Sequence, residues 1–69
     1  MSQVSRANLA KNVKRMREEK KITRESLSLI LGFENSYISK LEKQKMNITI
    51  ERLDIIADFF ETETYKLLK

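Results

Sequence analysis

The fold is decided by residues 23–41, which read TRESLSLILGFENSYISKL. The stretch opens with Thr23, whose hydroxyl can accept a backbone N–H at the start of a helix. Leu27 and Leu31 follow at helical spacing. Gly32, the only glycine in the chain, then supplies the left-handed conformation that commonly ends a helix. The stretch therefore predicts a short helix, a tight turn and a second helix.

This arrangement is a helix-turn-helix, the motif that places its second helix in the DNA major groove. We expect the motif over about residues 23–43, with Phe33 packed under the turn. The second helix is expected over 35–43, with Ile38 and Leu41 facing inward. Its outward residues are polar: Asn35, Ser36, Ser39, Lys40 and Lys43.

The rest of the sequence predicts a single all-α domain over residues 1–69, because proline is absent and glycine occurs once. A first helix is expected over 6–20 behind Ser5 as N-cap, and the helix after Thr23 over 24–31. A fourth helix follows Thr49, and a short fifth is capped by Thr62 or Glu63. The expected core side chains are Leu9, Val13, Met16, Leu27, Ile30, Leu31, Ile50, Leu53, Ile56, Ala57 and Phe60.

Size and composition limit how this domain is stabilised. A chain of 69 residues buries only a small core, and such domains usually need an additional support. Without Cys or His, disulfides and the common soft-metal sites are excluded. No cofactor is expected, and self-association is the support that remains.

Charge is unevenly distributed along the chain, which carries 14 Lys and Arg against 10 Asp and Glu, net +4. Residues 1–48 hold 11 basic and 5 acidic side chains, whereas residues 49–69 hold 3 basic and 5 acidic. A basic front suits a polyanionic partner. A solvated, lysine-rich helical surface explains the same numbers, so the motif rather than the charge favours DNA.

Other classes of protein fit less well. The chain lacks His and Cys and has no carboxylate cluster with metal spacing, so no enzymatic activity is expected. No apolar run approaches the roughly 18 residues needed to span a bilayer, and no signal-peptide pattern is present. We therefore expect no membrane association and a cytoplasmic location, on the nucleoid if the chain binds DNA.

Over roughly residues 8–68 the chain resembles the Cro/phage-repressor, or Xre-like, family of helix-turn-helix proteins. The matching residues are Leu9, Val13, Met16, Arg17, Ile22, Thr23, Leu27, Leu31, Gly32, Tyr37, Ile38, Ser39, Leu41, Glu42, Asn47, Leu53, Ala57 and Leu67. The resemblance implies a compact five-helix, lambda-repressor-like DNA-binding domain. Within that family, the chain resembles the small, free-standing controller proteins of restriction–modification systems.

The chain departs from the family pattern at three positions. Arg24 stands where the family usually has Gln, and Gln44 replaces the glycine that normally follows the third helix. Asn47-Ile48 replaces an Asn-Pro pair. We therefore expect the loop 44–48 to follow a somewhat different path.

The resemblance assigns roles that suit the chemistry of the residues. The base-contacting residues would be Asn35, Ser36 and Lys40, with Ser39 a weaker candidate, because Asn suits adenine, Lys suits guanine and Ser adapts to either. The phosphate-contacting residues would be Thr23, Arg24, Tyr37, Lys43, Lys45 and Asn47.

Four of these residues have alternative, structural explanations. Asn35 is also a good N-cap, and Arg24 can pair with its neighbour Glu25. Ser39 can serve close helix packing, and Tyr37 is expected to be half buried.

Two further sets are expected to be structural. Arg17 and Glu42 match a family ion pair that links the first and third helices. An excess of apolar side chains near the C-terminus predicts a dimerisation region over about 50–69, with Phe59, Phe60, Tyr65 and Leu68 at the interface. Phe59 and Phe60 are adjacent, so we expect that they cannot both face inward on one helix. The alternative is ordinary partial exposure of these side chains without a dimer.

The leading hypothesis is a sequence-specific transcription regulator that binds an inverted-repeat operator in double-stranded DNA as a homodimer. Such a regulator can also contact RNA polymerase, and the sequence does not distinguish a repressor from an activator. The alternative is an antitoxin-like or adaptor module of the same fold that binds another protein. RNA binding is disfavoured, because no exposed aromatic platform is evident.

Overall fold

The structure, a computed structural model, describes residues 3–69. These residues form α-helices and a short 3-10 helix and contain no strand. The elements are α1 (Gln3–Glu19), α2 (Arg24–Ile30), α3 (Tyr37–Glu42), α4 (Ile50–Phe59) and a 3-10 helix (Thr64–Leu68). The all-α prediction is confirmed, but the prediction of five α-helices is wrong, because the described chain has four. The last element is a five-residue 3-10 helix, too short to build regular α-helical bonding.

Two of the predicted helix starts are confirmed. Thr23 Oγ1 accepts a hydrogen bond from the N–H of Ser26 (3.0 Å), and Thr49 Oγ1 accepts one from Arg52 (3.2 Å). Ser5 is not an N-cap, because it lies inside α1. Residue Glu63 occupies the N-cap position of the 3-10 helix without a side-chain hydrogen bond.

All four α-helices end in the same way, although only one ends at a glycine. The residues after the C-caps have positive φ: Lys21 (59°), Gly32 (77°), Gln44 (59°) and Glu61 (55°). In each case the next N–H reaches back five residues, as from Phe33 to the carbonyl of Ser28 (2.8 Å). This is the Schellman motif. Gln44 therefore adopts the left-handed conformation that glycine usually supplies at a helix end. Replacing the family's glycine with Gln44 does not remove this turn.

The core gathers side chains from every element. Its fully buried apolar members are Val13, Leu27, Ile38, Ile56 and Leu67. Two core predictions are wrong, since Ile30 is 57% exposed and Ile50 is 73% exposed. Ile30 lies on the outer side of α2, where Ser28 takes the inward position, and Ile50 is in the first turn of α4, beyond the core.

The 3-10 helix is fastened to α1 by side-chain amides. Asn8 Nδ2 donates to the carbonyl of Leu68 (3.1 Å), and Asn12 Nδ2 donates to that of Leu67 (2.9 Å). These bonds satisfy carbonyls that a helix end leaves unpaired. Within residues 3–69, no helix has the length and apolar character needed to cross a membrane.

Candidate nucleic-acid interface

The position of α3 is fixed from α2 by a buried serine. The Ser28 hydroxyl donates to the carbonyl of Arg24 (2.9 Å) and accepts from the backbone N–H of Ile38 (3.1 Å). Ser36, the N-cap residue of α3, makes no side-chain cap bond. Ser28 therefore satisfies an N–H in the first turn of α3 from a different helix, which locks the angle of the motif.

An ion pair fixes the other end of α3. Arg17 Nε donates to Glu42 Oε2 (2.7 Å), and Arg17 Nη2 donates to Oε1 (3.2 Å). A third bond runs from Arg17 Nη1 to the carbonyl of Ile22 (2.8 Å). Both side chains are nearly buried, and the hydrogen bond to Glu42 raises the pKa of Arg17. The structure thus contains the ion pair expected between the first helix and α3.

Aromatic packing supports the turn before α3. Phe33 is buried as expected, and its ring centroid lies 4.6 Å from that of Tyr37. Tyr37 is itself buried, so the expectation of a half-exposed tyrosine is wrong. Burial raises the pKa of its phenol. The ring belongs to the core because it packs on Phe33 and lies on the same side of α3 as Ile38 and Leu41. The helix itself starts at Tyr37, two residues later than predicted.

The exposed residues before and in α3 line a groove together with the start of α2. This α2–α3 groove is lined by Thr23, Arg24, Glu25, Asn35, Ser36 and Ser39. Arg24 is exposed and forms no salt bridge with Glu25 or any other described residue. Asn35 precedes the helix, whose N-cap position is held by Ser36, so Asn35 is not the cap. The groove brings together three predicted base-contacting residues and two predicted phosphate-contacting residues.

A second depression adjoins this groove, with Ser36 lining both. This Arg52 cleft is lined by Glu34, Ser36, Tyr37, Lys40, Met46, Asn47, Thr49 and Arg52. Lys40, the remaining predicted base-contacting residue, is exposed there. The two depressions meet at Ser36 and together surround the start of α3.

The predicted phosphate contacts beyond α3 separate into two groups. Lys43 and Lys45 are exposed and line neither depression. Asn47 lies in the Arg52 cleft, where its Oδ1 accepts a hydrogen bond from Arg6 Nη2. With the oxygen occupied, the Asn47 amide nitrogen remains available as a donor, the group that a phosphate requires.

The predicted dimer residues differ in how accessible they are. Phe59 and Phe60 both pack partly against the core, edge to face with ring centroids 5.0 Å apart. Each ring remains partly exposed, as the alternative of partial exposure expects, and Phe60 lies just beyond α4 as its C-cap. Leu68 is also half buried against the core, whereas Tyr65 is exposed. Ile55 is a further exposed apolar residue on α4.

Sequence reasoning missed four residues that shape this surface: Arg6, Ser28, Glu34 and Arg52. Arg52 offered one signal, as the first of only three basic residues in segment 49–69, which carries five acidic ones. Ser28 offered another, since it breaks the apolar run of α2 at a position next to Leu27. Nothing in the sequence paired Arg6 with Asn47, which lies 41 residues away.

Proteins of similar sequence and structure share this fold. The family model described as Helix-turn-helix matches residues 13–67. The control protein C.SmaI of Serratia marcescens is 35% identical over 60 residues, which is 87% of this chain and 71% of that protein.

Two solved structures superpose on nearly the whole chain. The hypothetical transcription factor NHTF from Neisseria gives a TM-score of 0.88 at 29% identity, covering 94% of this chain and 75% of that one. The restriction–modification controller protein C.Esp1396I gives 0.80 at 27% identity, covering 99% and 90%. The chain therefore belongs to the helix-turn-helix family of DNA-binding transcription regulators and is of the restriction–modification controller type.

Proposed function

We propose that the chain is a sequence-specific regulator that binds an inverted-repeat operator as a homodimer, with α3 in the major groove and no catalytic role. The observation that carries this proposal is the set of exposed polar side chains around the start of α3. Asn35, Ser36 and Lys40 are exposed, and within residues 3–69 none of their side chains caps a helix or forms a salt bridge. Amide, hydroxyl and ammonium groups at the start and on the outer face of such a helix are suited to reading base edges.

The surrounding residues suit the sugar–phosphate backbone. Arg24 lies beside Asn35 in the α2–α3 groove, and Lys43 and Lys45 follow α3. Such cations add affinity that is independent of sequence and falls with salt. We propose that the complex forms on DNA in the cytoplasm and that contact with RNA polymerase is one route by which it affects transcription.

The operator can be found by selecting bound duplexes from a random library. We expect an enriched inverted repeat whose half-sites lie about 10–10.5 base pairs apart, centre to centre. The absence of any enriched sequence would contradict the proposal. It would favour the alternative, a protein-binding antitoxin or adaptor module, which draws support from the exposed apolar pair Leu29 and Ile30 on α2.

A pair of lysine substitutions separates base reading from phosphate binding. Lys40→Ala should cost roughly 1–3 kcal/mol on the selected operator and relax preference at one base pair, whereas Lys45→Ala should weaken all duplexes alike. Fluorescence anisotropy with the operator, its single-base variants and a scrambled duplex measures both effects. Equal, sequence-independent losses from the two variants would show that Lys40 does not read a base.

A further inference from the structure

Arg52 is held in place by three partners at the edge of the proposed DNA-binding surface. Its Nη1 donates to Glu34 Oε2 (2.9 Å), and its Nη2 donates to Oε1 (3.4 Å). The guanidinium also lies over two rings, 4.6 Å from the centroid of Phe33 and 4.7 Å from that of Tyr37. Cation–π contact and a two-pronged ion pair both favour this one orientation.

Glu34 is an unexpected residue for such a surface. It lies in the turn before α3 and shares the Arg52 cleft with Ser36, Lys40 and Asn47. A carboxylate here faces the side of the molecule where phosphates would approach. The hydrogen bond from Arg52 lowers the pKa of Glu34, so the pair remains ionised at neutral pH. The Glu34 side chain is 67% exposed and that of Arg52 34%, which leaves the pair accessible to an incoming backbone.

The ion pair is redundant for the fold. An exposed pair contributes little to stability, and the Arg52 side chain already packs on two core rings. The ion pair matters more for DNA binding. The guanidinium is a strong ligand for phosphate, so a free Arg52 would bind the backbone of any duplex. With Glu34 as its counter-ion, Arg52 is engaged before DNA arrives.

We propose that Glu34 is a positioning residue that determines specificity by restraining Arg52 from sequence-independent contact with DNA phosphates. This inference rests on the proposed function. On a non-cognate duplex nearly all affinity comes from phosphate contacts, so a freed arginine strengthens that complex directly. On the operator, contacts to the bases fix the position of α3 in the groove, so the freed arginine adds less affinity there. The restraint therefore raises the ratio of operator to non-operator affinity.

The test measures wild-type and Glu34→Gln protein on the selected operator and on a scrambled duplex of the same composition. Glu34→Gln should bind the scrambled duplex about fivefold more tightly at low salt, the size of one exposed ion pair. The plot of log affinity against log salt should steepen by about 0.9, as for one added phosphate contact. Operator affinity should rise less, so the specificity ratio should fall.

Two variants exclude simpler explanations. Glu61→Gln makes the same change in charge at an exposed residue outside both depressions and should leave the ratio unchanged. Arg52→Met, which keeps an unbranched chain over the rings, should abolish the gain when it is combined with Glu34→Gln. Circular dichroism checks that each variant is folded.

The outcomes are distinct. The inference is overturned if the gain in affinity for the scrambled duplex persists without Arg52, or if Glu34→Gln leaves the ratio of operator to non-operator affinity unchanged. In either case, operator binding by the wild-type protein still supports the proposed function. If wild-type protein binds no duplex, both are overturned.

Discussion

A single hydroxyl at Ser28 determines how the two helices of the motif meet. It accepts from the N–H of Ile38 at 3.1 Å and donates to the carbonyl of Arg24 at 2.9 Å, and it is fully buried. An N–H in the first turn of a helix has no partner within the helix. Because the site excludes water, the Ile38 N–H depends on Ser28 alone.

Ser28→Ala should therefore destabilise the protein by about 1–3 kcal/mol, the cost of leaving a buried donor unsatisfied. Ser26→Ala, at an exposed position of the same helix, should change stability by less than about 0.5 kcal/mol. Urea unfolding followed by circular dichroism measures both values. Equal effects from the two variants would show that water or a shifted backbone replaces the Ser28 hydroxyl.

Individual helices in this chain end through backbone conformation more than through residue type. The Schellman motif at Gly32 has φ 77°, and the motif after α3 has φ 59° at Gln44. A left-handed conformation costs an L-residue roughly 1–2 kcal/mol, a strain that glycine avoids. A Cβ added at Gly32 would meet no atom within 4 Å, so strain at that position is purely conformational.

Gly32→Ala should lower the free energy of unfolding by about 1 kcal/mol, and Gln44→Gly should raise it by about 0.5 kcal/mol, because greater freedom of the unfolded chain offsets part of the relief. Lys43→Gly is the matched control for Gln44→Gly. Lys43 has φ −88°, so glycine there relieves no strain and should destabilise. Midpoints of urea unfolding at unchanged slope give the comparison. Stabilisation by Lys43→Gly as well would contradict the argument from strain.

The same contrast, between residue type and backbone conformation at helix ends, decides how much of the fold the sequence predicts. Thr23, Thr49 and Gly32 are local signals. The helix starts that the two threonines predict are those observed, and α2 ends at Ile30, one residue before the end predicted from Gly32. The ends at Lys21, Gln44 and Glu61 lack a glycine, so residue type alone does not predict their positive φ.

The residues of the candidate site divide in the same way, into those that a local pattern predicts and those that meet only in the fold. Helical periodicity predicts the outward position of Lys40 on α3, whereas Asn35 and Ser36 are exposed in the turn and at the N-cap before the helix. Glu34 and Arg52, 18 residues apart, and Ser28 and Ile38, 10 apart, meet only through the tertiary fold. No local pattern could have paired them.

At the scale of the whole molecule, size argues for two copies on one operator. One copy measures 27 × 23 × 20 Å, whereas successive major grooves on one face of DNA lie about 34–36 Å apart. A single copy therefore seats one α3, and a palindromic site requires a partner. The acidic segment 49–69 carries exposed apolar residues suited to this contact, Ile55 on α4 and Tyr65 on the 3-10 helix. A hydrogen bond from Thr64 Oγ1 to Asp54 Oδ1 (2.6 Å) joins the two elements.

In the proposed dimer, Ile55→Glu should give monomers, because it would place a further negative charge in a segment that is already acidic and that would face its own copy across the twofold axis. The variant should remain folded, since Ile55 is exposed, unlike Phe59, where a charge would disturb the core. Sedimentation velocity measures the oligomeric state, and anisotropy should show weaker binding to the full inverted repeat. Leu29→Glu adds the same charge at an exposed leucine on α2 and should stay dimeric. If both variants remain dimeric, the interface does not include this face of α4. If the wild-type protein is monomeric both free and on DNA, the proposed dimer is wrong.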